Sequence, residues 1–291
     1  MVQAQLVFLG HYPDDIKHAK RYANRLNMKL VWVPLTRGPR LKPENVIRAV
    51  NGIMNKSTGG GYVYSWSEVA ARMVKGIMPP SDCRDLSPSL DVFHFFEGTH
   101  TGKSLTTQWL IEHGLGQYAP KRYTEYNVEN ATLPIIVKPI VGRAGRHVSV
   151  IRTKNQLERL FHRVKNRSQI IFEEPIPNST EWSAHFLALR GSLRMITCVN
   201  IVFQDDIFVR NTKPHGLRKV RWQHCPFEID LLTRRLVSAT NYHGIGCVGA
   251  KFNDSQPRMI EMNPRVCGML FTKHTLMTSF LNASFDHCDP V

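Results

Sequence analysis

Arg258-Met259-Ile260-Glu261-Met262-Asn263-Pro264-Arg265 decides how this chain is read. A short apolar run carries a carboxylate and a carboxamide two residues apart. Side chains alternate along a strand, so Glu261 and Asn263 share a face. Two hard oxygen donors on one face suit Mg²⁺. Arg265 follows with a planar fork of donors that fits phosphate or carboxylate oxygens. The pattern is that of a magnesium–nucleotide site. A strand with a merely polar outer face shows the same alternation, so the rest of the chain must discriminate.

Working outward, the first constraint is charge. Thirty-eight Lys and Arg against 23 Asp and Glu leave +15, which favours anionic partners: nucleotides, carboxylate or phosphorylated substrates, or nucleic acid. The basic residues are spread along the chain, and no nucleic-acid motif accompanies them. No apolar run approaches the roughly 18–20 residues of a membrane helix, so no membrane partner is expected. Met1 to Gly10 lacks the basic start and cleavage site of a signal peptide and reads as a buried strand. The six cysteines (Cys83, Cys198, Cys225, Cys247, Cys267, Cys288) show neither CxxC pairs nor metal-ligand spacing. Reduced thiols and a cytoplasmic location are the expectation.

Periodicity predicts alternating strands and helices over residues 1–97, with strands at 6–10, 30–34 and 90–96 and helices at 14–27, 43–54 and 66–76. This is an α/β pattern with a parallel sheet. Beyond it, a helix is predicted at 103–114, strands at 133–139 and 148–152 around a loop, a helix at 154–166 and a strand at 168–174. Hairpins at 181–190/193–203 and 246–252/258–262 flank a helix at 226–243.

Three further motifs bear on a nucleotide, two of them on its phosphates. Gly98 to Ser104 follows a predicted strand and opens a helix, the context of a P-loop. Glu97 stands where the first glycine of that loop belongs, and Gly98 leaves the loop one residue short. A P-loop-like kinase using Lys103 and Ser104, a helix-capping loop, and a phosphate contact by Lys103 in another fold all stay open. In Ile135 to Val148, a strand presents Lys138 and a Gly/Arg loop follows, with Gly142, Arg143 and Gly145 able to bring backbone N–H groups and charge to phosphate oxygens. Glu173, Glu174 and Ile176 end an apolar strand with Glu181 just beyond. Carboxylates there can accept from an adenine amino group or ribose hydroxyls, although a solvated turn reads the same way.

In their order along the chain, these elements resemble the ATP-grasp superfamily, which includes D-alanine–D-alanine ligase, biotin carboxylase and carbamoyl-phosphate synthetase. The resemblance implies an α/β (α+β) ATP-grasp fold preceded by an α/β domain. Its boundaries are 1–100 for the preceding domain, 101–180 for a small subdomain with a glycine-rich flap, and 181–291 for a subdomain with the Mg²⁺ site. It implies ATP and Mg²⁺ as cofactors, Lys103 and Lys138 on the phosphates, and Gly142–His147 as the flap. Glu173 through Ile176 match the adenine hinge and Glu181 the ribose ligand. Glu261 and Asn263 match the metal ligands and Arg265 the arginine that stabilises transferred phosphate. Lys213 matches a further phosphate contact less well.

The implied activity is an ATP-dependent ligase that joins a carboxylate to an amine through an acyl phosphate, releasing ADP and phosphate. The implied partners are a small anionic carboxylate and an amine acceptor; a homodimer is compatible. The family usually places Asp, Glu or Gln opposite the metal-binding glutamate. If the hairpin loop has an odd residue count, Lys251 stands there, and Asp254 lies too far into the turn to replace it. A lysine at that point predicts one Mg²⁺ rather than two and gives Lys251 a catalytic or charge-neutralising role. It also leaves a degenerate nucleotide- or nucleic-acid-binding protein as the alternative.

Overall fold

The computed structural model describes residues 4–10, 15–34, 43–54, 61–65, 102–124, 127–140, 147–164, 166–204 and 217–285. The predicted elements at 66–76 and 90–96, the loop from Gly98 to Thr101, the flap residues Gly142, Arg143 and Gly145, and Lys213 lie outside them. The side chains of Lys103 and Ser104 are likewise not described.

The first sheet holds β1 (Gln5–Gly10), β2 (Lys29–Pro34) and β3 (Gly61–Ser65) in the order β2-β1-β3, all parallel. Every residue of β1 is buried, as its apolar sequence requires of a central parallel strand. Helix α1 (Asp15–Arg25) buries Ala19, Tyr22 and Ala23, and α2 (Pro43–Met54) buries Val46 and Val50. Strand β3 was missed in the sequence because Gly-Tyr-Val-Tyr-Ser is too short to show a period.

Helix α3 (Gly102–Glu112) leads to the second sheet: β4 (Arg122–Tyr123), β5 (Ile135–Pro139), β6 (Ser149–Ile151) and β7 (Ile170–Glu173), in the order β4-β7-β5-β6 and antiparallel. Helix α4 (Lys154–Arg163) covers it, opened by Thr153, whose hydroxyl accepts from the Gln156 N–H at 3.3 Å. This N-cap satisfies a backbone donor that the helix itself cannot.

The third sheet is the largest. Strands β8 (Thr180–Leu189), β9 (Ser192–Phe203), β10 (Leu217–Gln223), β11 (Gly244–Asn253) and β12 (Gln256–Asn263) run antiparallel in the order β10-β9-β8-β11-β12. Helix α5 (Phe227–Ala239) packs Ile229, Leu232 and Leu236 against Ala184, Phe186, Val248, Ala250 and Met262 on one face of this sheet. Trp109, Leu110 and Tyr118, in and after α3, complete the same core. Short α6 (Gly268–Thr272) and α7 (His274–Phe285) follow. Met277, Phe280 and Leu281 of α7 join Leu6 and Phe8 of β1, Tyr22 of α1, and Leu187 and Ile245 of the third sheet in one cluster. The Tyr22 hydroxyl donates to the Phe271 carbonyl across that contact.

One expectation changes. Among the described residues the cysteines are not scattered thiols: Cys198 is disulfide-bonded to Cys225 and Cys247 to Cys267. Residues 27 and 20 apart in sequence meet because strand and loop geometry, not local spacing, brings them together. No helix among the described residues is long and apolar enough to cross a membrane.

Candidate nucleotide and metal site

Paired residues of an antiparallel ladder point to the same face. The register therefore sorts the third sheet. Ala184, Val248 and Met262 face α5. Glu181, Ser183 and His185 of β8, Cys247, Gly249 and Lys251 of β11, and Glu261 and Asn263 of β12 occupy the alternate positions. The candidate chemistry thus collects on the face turned away from α5.

Glu261 and Asn263 do lie side by side. Asn263 Nδ2 donates to Glu261 Oε1 at 3.0 Å, and Arg265 Nη2 donates to Asn263 Oδ1 at 3.3 Å. Asn263 is 9% exposed while Glu261 is open to solvent. Pro264 ends the strand, since it has no N–H to give a ladder. Arg265 also donates to the Val266 carbonyl at 3.2 Å, which holds the guanidinium beside the strand end. A carboxylate, a carboxamide and a guanidinium thus form one hydrogen-bonded row.

The hairpin count that placed Lys251 opposite Glu261 is corrected by the register. The two-residue turn Asp254-Ser255 pairs Asn253 with Gln256, so Lys251 faces Arg258, and a bulge beyond it, between Gly249 and Ala250, brings Gly249 opposite Glu261. The even turn sets the partner of Lys251, and the extra residue absorbed inside β12 sets the partner of Glu261. Lys251 is 5% exposed, pairs in register with Glu181 on its other side, and stands 5.9 Å from the centre of the Phe203 ring. A buried ammonium beside a glutamate and over a ring is in the setting such a charge requires. The position opposite Glu261 carries no side chain at all.

Glu173 is the centre of a second group. Its Oε2 is 2.6 Å from Lys138 Nζ and its Oε1 is 2.9 Å from Arg122 Nε, with the carboxylate side chain 6% exposed. Both oxygens are engaged by cations, which is what allows a carboxylate to sit in the interior. The pair fixes where Lys138 points. Arg122 was not singled out in the sequence, because a two-residue edge strand carries no periodic signal. Glu174 is exposed and its N–H donates to the Lys121 carbonyl at 2.9 Å; the Ile176 carbonyl accepts from Asn178 at 2.9 Å. This segment connects the second sheet to the third.

The residues present fit the groups the sequence implied. Mg²⁺ takes oxygen ligands, usually one or two from the protein, and completes its shell with phosphates and water. Glu261 and Asn263 offer such donors, and Lys138 and Arg265 offer cations for phosphate oxygens.

A family model described as an ATP-grasp domain matches residues 101–269, more than half of the chain. No curated protein sequence matches it. Among solved structures, D-alanine–D-alanine ligase from Bacillus anthracis is similar at 14% identity, over 98% of this chain and 97% of that one, with a TM-score of 0.58. Phosphoribosylamine–glycine ligase from Thermotoga maritima is similar at 12% identity, over 97% of this chain and 75% of that one, with a TM-score of 0.64. An L-amino acid ligase from Bacillus licheniformis is similar at 15% identity, over 93% of this chain and 69% of that one, with a TM-score of 0.57.

Proposed function

The chain belongs to the ATP-grasp family, and from that premise we propose that it is an ATP-dependent ligase joining a carboxylate to an amine. The observation that carries this reading is the row Glu261–Asn263–Arg265 at the end of β12. It sets a hard metal-binding edge beside a fixed cation, the combination needed where phosphate is transferred to a carboxylate. The similar structures supply the reaction class, since an L-amino acid ligase and a D-alanine–D-alanine ligase are among them.

In this reading a carboxylate oxygen attacks the γ-phosphorus of ATP, and the bond to the bridging oxygen breaks to release ADP. An amine nitrogen then attacks the acyl carbon of the acyl phosphate, loses a proton, and phosphate leaves. Two anions must approach each other, so fixed positive charge in a shielded site supplies most of the catalysis. Lys138, held by Glu173, meets the phosphates. Arg265 stabilises the charge on the transferred group. Glu261 and Asn263 would hold Mg²⁺, which when bound neutralises β- and γ-phosphate oxygens. The 174–176 segment lies along the adenine and Glu181 meets the ribose; the family resemblance assigns Lys103, Gly142, Arg143 and Gly145 to the phosphates. Lys251, set back beside Glu181, orders the nucleotide side of the sheet rather than the metal.

The test is the product. Incubation with Mg-ATP and mixtures of amino and other carboxylic acids should release ADP and phosphate in step with amide formation; AMP and pyrophosphate would overturn the mechanism. A second reading, nucleotide binding without turnover, is favoured by one observation: Gly249 leaves Glu261 without an opposing carboxylate. Saturable ATP binding with no ADP release in any substrate mixture would select it.

A further inference from the structure

One cluster beside the nucleotide site has no part in the reaction above. A ring nitrogen of His185 and the sulfurs of Cys247 and Cys267 all lie within 4.8 Å of one another. His185 and Cys247 face each other across β8 and β11, and the turn after β12 delivers Cys267. His185 is completely buried, and its Nδ1 has no hydrogen-bond partner. Its other nitrogen, Nε2, is 3.3 Å from Ser183 Oγ, and the ring packs at 5.2 Å from Trp222. A fully buried imidazole with an unpaired nitrogen and two sulfurs close by is not a resting arrangement for a core residue, because buried polar groups are otherwise satisfied.

We propose that His185, Cys247 and Cys267 form a binding site for a thiophilic divalent cation of the Zn²⁺ class when the two cysteines are reduced. Zinc holds thiolate at about 2.3 Å and imidazole at about 2.0–2.1 Å, so donors around a tetrahedral ion stand roughly 3.5–4 Å apart. The three atoms already lie within that neighbourhood; the sulfurs have only to part. Burial pushes the His185 pKa down to about 3, leaving the imidazole in its neutral, ligating form. Among the described residues no third donor gathers at Cys198 and Cys225, so the two disulfides are not equivalent.

The disulfide form is converted by two-electron reduction. A thiolate of an external dithiol attacks one sulfur, the other leaves as thiolate, and the second thiol of the reagent resolves the mixed disulfide. The protein gains two thiols and the reagent becomes a cyclic disulfide. The cation then displaces both thiol protons and takes two thiolates and the imidazole, with its fourth position left to water or a small ligand.

The test uses the full chain with Cys83→Ser and Cys288→Ser, so that thiols elsewhere do not compete. The protein is reduced with dithiothreitol, freed of reagent without air, and titrated with Co²⁺. One equivalent should bind with a sulfur-to-cobalt charge-transfer band and the visible bands of a tetrahedral ion, and Zn²⁺ should bleach both. The oxidised protein should show neither. Cys247→Ser should abolish the band, and Cys198→Ser with Cys225→Ser should leave it. His185→Gln should weaken binding by more than the roughly tenfold that loss of an outer-shell partner costs. The proposal is overturned if the reduced, folded protein shows no charge-transfer band, or if His185→Gln binds Co²⁺ with unchanged affinity and spectrum. It is also overturned if Cys247–Cys267 cannot be reduced without loss of the near-ultraviolet circular dichroism of the native fold.

Discussion

Gly249→Asp is the substitution that most directly tests how the metal edge is built. A Cβ at Gly249 would sit 3.5 Å from Glu261 Cγ, an ordinary van der Waals distance, and Gly249 is not among the glycines with positive φ. The new side chain therefore enters without backbone strain, beside Glu261. Two carboxylates about 4 Å apart repel by roughly 1 kcal/mol in water and about 4 kcal/mol at an effective dielectric of 20. Glu261 is exposed, so the penalty belongs near the lower end, about 1–2 kcal/mol. It is present without metal and relieved by Mg²⁺. By linkage, Mg²⁺ affinity should rise by roughly 5–30-fold. Thermal unfolding in EDTA and in excess Mg²⁺ reads the first effect, and a Mg²⁺ titration reads the second. An equal stability loss with and without Mg²⁺ would refute the reasoning. So would Lys251→Asp tightening Mg²⁺ where Gly249→Asp does not, since that would put residue 251 rather than 249 beside Glu261.

Three further outcomes are expected. Arg265→Ala should lower kcat for ADP release by roughly 10²–10³-fold, as loss of one donor to developing charge does, with thermal unfolding little changed; a full-rate variant would remove Arg265 from the mechanism. Lys138→Ala should weaken ATP binding by on the order of 1.5–3 kcal/mol and leave the Glu173 carboxylate with Arg122 alone; unchanged affinity in calorimetry would count against the phosphate site. In the oxidised protein in EDTA, stability should fall with pH partly through His185. Its folded pKa is near 3 against about 6.5 unfolded. The contribution is complete above pH 6.5 and is lost as pH falls towards 3, at roughly 1.4 kcal/mol per pH unit. Denaturant unfolding from pH 7 to 5 should be less steep in His185→Gln; identical pH slopes would contradict the buried neutral imidazole.

What the sequence disclosed depended on whether the information was local. The parallel β1–β2 pair, the starts of α4 and α5, and the same-face placement of Glu261 and Asn263 follow from periodicity and were legible, whereas both helices end three to four residues earlier than their period suggests. The partner of Glu261 was not, because a one-residue bulge at Ile260 breaks the counting on which strand register rests. Arg122 and Glu173 are separated by 51 residues, and only the sheet order β4-β7-β5 shows that they meet. The cysteine pairs were hidden for the same reason. Helix α7 was legible in principle: Leu276, Met277, Phe280 and Leu281 recur at helical spacing, but the single-residue gap from α6 at Lys273 obscures its start. Which residue types could do chemistry was therefore readable, whereas which of them touch was settled by long-range pairing.

The cluster that joins β1 and α1 to α7 has a consequence on the ribosome. Phe8 stacks against Trp32 and Tyr64 within the first 65 residues, yet the ring that closes over it from the other side is Phe271. Roughly 200 residues must be synthesised in between, which takes on the order of 10–40 s. Throughout that interval this face of the nascent parallel sheet has α1 against it but lacks the cover that Phe271, Met277 and Phe280 supply. Its edge strands are short, which limits wrong pairing, but the face itself would be shielded by a chaperone. Translation that stalls before residue 271 would leave a sticky fragment rather than a small folded unit.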